Sequence, residues 1–143
     1  MIHIRKVCLG KKTIEDLENF QKTEGLLFAQ LLGFNVPICR TRNFPVKKDD
    51  LIAHGSLYWI FGNKILARQK ITNIVQNTDE TCSKKCIILL NSDLIAVQPM
   101  YCKPFQGWRY LEEKNAPQDI VKDVKYSNLP DNIYDDLANL GIL

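Results

Sequence analysis

The chain has 143 residues, of which 45% are hydrophobic and 24% charged. This composition is that of a globular domain large enough to bury a core without disulfide or metal staples. The formal net charge of +3 excludes the strongly basic character that would by itself demand a nucleic-acid partner, so any such surface has to come from local clustering.

The first predicted element is a strand over 2–9, in which Ile2 and Ile4 alternate with His3 and Arg5 and Val7 follows. His3 falls on the polar side, where a structural or solvent-facing role is expected rather than a ligand role. Gly10, Lys11 and Lys12 make a loop, and a helix over 13–32 comes next. Thr13 with Asp16 three residues on resembles a capping box, although Asp is shorter than the usual Glu. Ile14, Leu17 and Phe20 give a helical stripe suited to packing on a sheet; Gly25 is a place where the helix can divide, and Gly33 is its stop.

Residues 36–41 (VPICRT) read as a short strand, with Pro37 placing it at an edge or a start. Phe44-Pro45 is a turn, and a short helix over 47–53 ends at His54-Gly55. Arg40, Arg42, Lys47 and Lys48 therefore crowd nine residues, with Asp49 and Asp50 partly offsetting them. A solvated loop and a binding surface both fit this cluster.

A long hairpin follows. Residues 56–61 (SLYWIF) are dense in strand formers, and Gly62-Asn63 suits a type II′ turn because Gly accepts the positive φ of its first central position. In the return strand, Ile65, Ala67, Gln69 and Ile71 share the expected core face, and Leu66, Arg68, Lys70 and Thr72 the other. Arg68 is placed near Tyr58 or Trp59. An arginine beside an aromatic ring can stack a planar ligand, and it is also an ordinary pair on a solvated face.

After a polar loop over 76–84, an apolar strand at 85–90, a tight turn at 91–93 and a strand at 94–98 read as a second hairpin. Cys82 and Cys86 have a C-x3-C spacing, but Cys8, Cys39, Cys102, His3 and His54 are scattered, so neither a metal nor another cofactor is expected. A loop over 99–104 enters FQGWRYL at 105–111, and mixed polar sequence runs over 112–123. A last helix is predicted over 130–140, with Pro130 in its first turn, Asp131 at its positive end and Ile133, Leu137 and Leu140 as its packing stripe. Gly141 ends it, and Ile142-Leu143 should tuck against the core.

These elements predict a single domain over 1–143 of the α+β class, built on a mostly antiparallel, barrel-like sheet of five to seven strands with a helix near each end of the chain. The odd count of five cysteines, the absence of a secretory apolar run in Met1–Leu9 and the lack of any stretch near the ~20 apolar residues of a membrane span predict a reduced, cytoplasmic protein without a membrane partner.

No Gly-rich phosphate loop, zinc-protease helix motif or nucleophile elbow is present, and the carboxylate pairs Asp49-Asp50, Glu112-Glu113 and Asp135-Asp136 are neighbours that do not face one another. Catalytic residues are therefore not assigned. The leading reading is a nucleic-acid surface, for RNA or a modified nucleotide, on which Arg40, Arg42, Arg68 and Arg109 converge with Tyr58, Trp59, Trp108 and Tyr110, flanked by Lys47 and Lys70. The guanidinium groups would bind phosphates and the rings would stack bases. In the competing reading Trp59 and Trp108 are core residues and Arg109 satisfies buried carbonyls or a carboxylate. Two further classes stay open: a small hydrolase of a modified nucleoside or amide, with its base among Lys47, Lys48 and Lys64, and a protein-interaction domain using an edge strand or the C-terminal tail.

RTR at 40–42, GSLYW at 55–59, ARQ at 67–69, FQGWRYL at 105–111 and a LANLGIL-like end occur in that order. Together they resemble the domain-of-unknown-function family numbered 1489, found mainly in alphaproteobacteria, over nearly the whole chain. That resemblance implies no activity. His54 departs from it, standing where a small residue is expected. The order of short basic helix, Gly, strand, tight turn and long strand is also similar to the barrels related to the pseudouridine synthase and archaeosine transglycosylase domain. That likeness, one of fold alone, implies an RNA, modified-base or nucleoside ligand, or hydrolysis of acylated cytidine as in one branch of those barrels.

Overall fold

A computed structural model describes residues 1–77 and 83–120 of the chain. The molecule is built around the hairpin of β3 (Ser56–Phe61) and β4 (Lys64–Gln76). Gly62 takes a φ of 65° at the turn while Asn63 keeps a negative one, the backbone a type II′ turn requires. The remaining strands are β1 (Ile2–Val7), β2 (Ile38–Thr41), β5 (Cys86–Leu90), β6 (Ile95–Tyr101) and β7 (Trp108–Glu112). They form one seven-stranded sheet in the order β2-β5-β4-β3-β1-β7, with β6 as a further partner of β4. All pairs are antiparallel except β1 with β3, which the intervening helices and β2 connect as a crossover.

The expected α+β class and mostly antiparallel sheet are thus present, but the sheet is open. Strand pairing ends at β7 on one side. After a 3-10 turn at Glu113–Asn115 the chain crosses to the outer edge of β6, where Gln98 donates its N–H to the Gln118 carbonyl and Ile120 donates to that of Ala96. The expected hairpin of β5 with β6 does not form. β4 is 13 residues long, and its edge away from β3 takes both strands end to end: β5 pairs along Ile71–Gln76 and β6 along Lys64–Arg68.

The helix predicted over 13–32 divides into α1 (Ile14–Lys22) and α2 (Glu24–Leu31). The break falls at Thr23, which leaves helical geometry (φ −118°, ψ −100°). Gly25 permits the next turn, since a Cβ there would lie 2.9 Å from the Phe20 carbonyl oxygen. The capping box at Thr13 and Asp16 forms despite the short side chain, and α2 stops at Gly33 (φ 91°) with Phe34 N–H bonding back to the Ala29 carbonyl. A third helix, α3 (Lys48–His54), precedes β3.

α1 and α3 cover one face of the sheet, where Leu17 and Leu51 pack with Ile4, Leu57, Trp59, Ile71 and Ile88. A smaller cluster on the other face joins Tyr58, Ile60, Ile65, Val97 and Leu111. The sequence assigned Ile65 to the first face and Leu66 to the second. A bulge reverses both: Trp59 pairs with Ala67 but Ile60 pairs with Ile65, leaving Leu66 as the extra residue that packs on the helix side. Among the described residues no helix is long and apolar enough to cross a membrane. The helix predicted over 130–140 and the apolar tail lie outside the described residues, as does Cys82 of the C-x3-C pair.

Candidate functional site

The β3–β4 register places Tyr58 opposite Arg68 and Ser56 opposite Lys70, and β1 brings His3 and Arg5 to the same face. These residues, except Arg5, line a cavity of about 550 Å³ beneath the crossing segment 113–119. Two ion pairs hold its wall. Arg68 donates from Nε and Nη2 to the two oxygens of Asp119, each at 2.6 Å, and from Nη1 to Ser56 Oγ at 2.9 Å. This fork holds the Asp119 carboxyl below the ordinary carboxylate range and raises the guanidinium further. His3 accepts the Ser56 backbone N–H at Nδ1 (2.9 Å), so the proton sits on Nε2, which donates to the Glu113 carboxylate. The sequence placed His3 on a polar side; it is buried with both ring nitrogens engaged. Tyr58, 4% exposed, stands edge-on to His3, and burial pushes its phenol up to about 12.

This cavity gathers Lys70, Ser56 and two carboxylates, the kind of set a hydrolase would need. Each carboxylate, however, is engaged by His3 or Arg68, and Lys70 Nζ reaches the Ala53 and Ile52 carbonyls at 3.4 and 3.5 Å. Lys47, Lys48 and Lys64 do not line it. Among the described residues no three His, Cys, Asp or Glu side chains are grouped to hold a metal ion.

On the helix side of the sheet, β7 presents Trp108 and Tyr110, with Trp108 opposite Lys6 of β1. The two rings meet edge to face at 4.9 Å. Trp108 Nε1 donates to the Asn43 carbonyl (2.9 Å), and the Tyr110 hydroxyl accepts the Lys47 backbone N–H (3.1 Å). These bonds dock the 40–47 segment on β7. Between them lies a cleft of about 420 Å³ whose lining includes Lys6, Arg40, Arg42, Lys84 and Trp108. Arg40 is steadied by the Phe28 ring, 4.4 Å from its guanidinium.

The single surface expected of the arginines and aromatics is divided, because strand neighbours point to opposite faces. Arg40, Arg42 and Trp108 share the basic cleft, and Lys47 and Tyr110 adjoin it. Tyr58, Arg68 and Lys70 line the cavity on the opposite face. Trp59 lies in the main core, its indole N–H donating to Gln69 Oε1 at 2.8 Å. Arg109 stands apart on the second face, over the Phe105 ring. The sequence reading missed Ser56, Glu113 and Asp119 as cavity residues and Lys6 and Lys84 as cleft residues. The phase of β1 carried the signal for Lys6, which is in step with Ile2 and Ile4; Asp119, in a polar stretch, carried none.

The chain belongs to the family described as Protein of unknown function (DUF1489), whose model matches residues 4–143. No curated protein and no solved structure matches it.

Proposed function

We propose that the chain binds single-stranded RNA in the cleft between β1, β2 and β7. The observation that carries this reading is the gathering of Lys6, Arg40, Arg42 and Lys84, from separate segments, around the half-buried Trp108. Guanidinium and ammonium groups gathered in one cleft suit backbone phosphates, and an indole fixed by its N–H to Asn43 offers a stacking partner to a base free of a duplex. A stacked base contributes about 1–3 kcal/mol.

Fluorescence anisotropy with a labelled single-stranded RNA across a salt series tests the reading. Binding should weaken with salt, and a Lys6→Ala/Arg42→Ala double variant should bind more weakly with a log–log slope smaller by about 1.4, the value for two lost single-strand phosphate contacts. No binding at low salt, or a slope that the double substitution leaves unchanged, would overturn it.

A further inference from the structure

Arg5 of β1 and Arg109 of β7 are direct cross-strand partners on the second face of the sheet. Directly opposite side chains in such a pair have Cβ atoms about 4.5–5.5 Å apart, where like charges are destabilising. Among the described residues no carboxylate forms an ion pair with either of these two. Both guanidinium groups lean on one ring instead, lying 5.5 and 4.5 Å from the centroid of Phe105. Arg5 Nη1 donates only to the Cys102 thiol, a weak acceptor, at 3.4 Å, and Arg5 Nε is buried without any hydrogen-bond partner. A buried N–H left unpaired beside a like charge is costly, and the described side chains around it supply no anion.

We infer that Arg5, Arg109 and Phe105 form a binding site for a phosphate monoester. Two fixed positive charges call for a ligand carrying close to two negative ones with oxygens enough for both guanidinium forks. A phosphate monoester near neutral pH carries roughly −1.5 to −2 with three acceptor oxygens. A carboxylate or a phosphodiester carries about −1 and fits less well. This site is separate from the basic cleft and does not depend on RNA binding there, since Arg109 and Trp108 project from opposite faces of β7.

The test is thermal unfolding and calorimetric titration with inorganic phosphate and with ribose 5-phosphate at low millimolar concentration and constant ionic strength. Sodium chloride and sodium sulfate serve as controls. The expected result is a saturable rise in Tm with both phosphates, absent with chloride and shared by sulfate, which is also a divalent tetrahedral oxyanion. Arg109→Ala, an exposed position, should weaken phosphate binding by at least about tenfold, the loss of one charge-assisted contact, while raising or preserving the phosphate-free Tm. Equal shifts with phosphate and chloride, or full phosphate binding by the Arg109→Ala variant, would overturn the assignment. Ribose 5-phosphate binding without inorganic phosphate binding would also overturn it, because the sugar would then carry the affinity.

Discussion

Arg68 grips Asp119 through two parallel N–H···O bonds of 2.6 Å, joining β4 to the segment that crosses the second face. The side chains are 21% and 38% exposed, so solvent screens the pair and its removal should cost less than the loss of a fully buried one. Asp119→Asn is expected to lower stability by about 1–2 kcal/mol in urea titrations near neutral pH. The pair also predicts acid sensitivity. The folded carboxyl titrates below the ordinary 3.8 because Arg68 hydrogen-bonds its charged form. Its contribution is therefore complete above pH 3.8 and disappears as pH falls through the lower folded value. The gap between wild type and Asp119→Asn should close below about pH 4; a gap of constant size from pH 7 to pH 3 would show that the pair does not act this way.

Gln69 is a polar side chain at the centre of the main core. It is fully buried, and both ends of its amide are satisfied. Oε1 accepts from Trp59 Nε1 and Gln21 Nε2, and Nε2 donates to Gln21 Oε1 and the Asn91 carbonyl. One side chain thereby ties β3 and β4 to α1 and to the turn after β5. Gln69→Leu keeps the volume but strands the Trp59 N–H and the Asn91 carbonyl, at about 1–3 kcal/mol for each group left without a partner. A chemical denaturation midpoint equal to that of wild type would refute this.

The strands and the main hairpin were legible because hydrophobic alternation and a Gly-Asn turn are local signals. Arg68 was expected near Tyr58 or Trp59, but an unbroken count back from that turn sets it opposite Leu57, and only the extra residue Leu66 brings it opposite Tyr58. What alternation could not reveal is where it slips: one extra residue, Leu66, exchanges the faces of Ile65 and Leu66. Nor could two adjacent apolar strands disclose that both belong to one edge of β4, since a hairpin and an end-to-end pair share the same sequence pattern. The cavity was hidden for a different reason. Glu113 and Asp119 are ordinary polar residues until the chain beyond β7 crosses to β6 and sets them over His3 and Arg68. The grouping of Arg40, Arg42 and Trp108 was visible in the residue types, but the face that each strand position takes decided that Arg68 and Arg109 lie elsewhere.

Alkaline pH should loosen the protein in two stages. Burial raises Cys8 and Cys39 from 9.0 to about 11, and Tyr58 from 10.0 to about 12. Each group is held in its neutral form by the fold. Stability from the thiols is therefore complete below pH 9 and declines as pH rises to 11, and that from Tyr58 declines between 10 and 12. Urea midpoints should fall from pH 9 upward. At pH 8 a disulfide reagent should label Cys8 and Cys39 far more slowly in native than in urea-unfolded protein, because the thiolate is the reactive form. Equal labelling rates in the two states would contradict the burial argument.

The two tryptophans give separate reports on the main core and on the basic cleft. Trp59 is 6% exposed, with its N–H on Gln69. Trp108 is half-buried at the basic cleft, with its N–H on the Asn43 carbonyl. In a Trp108→Phe variant the remaining emission should be blue-shifted and resist acrylamide. In Trp59→Phe it should be red-shifted and quenched. Trp108→Phe also removes the bond that docks the 40–47 segment on β7, a net loss of about 0.5–1.5 kcal/mol, and Tyr110 should then carry that docking through Lys47. Single-stranded RNA added at low salt should quench the Trp59→Phe protein, in which only the cleft indole emits, and leave the Trp108→Phe protein nearly unchanged. Equal quenching of both variants would place the RNA away from the cleft, and quenching confined to Trp108→Phe would place it where the cleft is not.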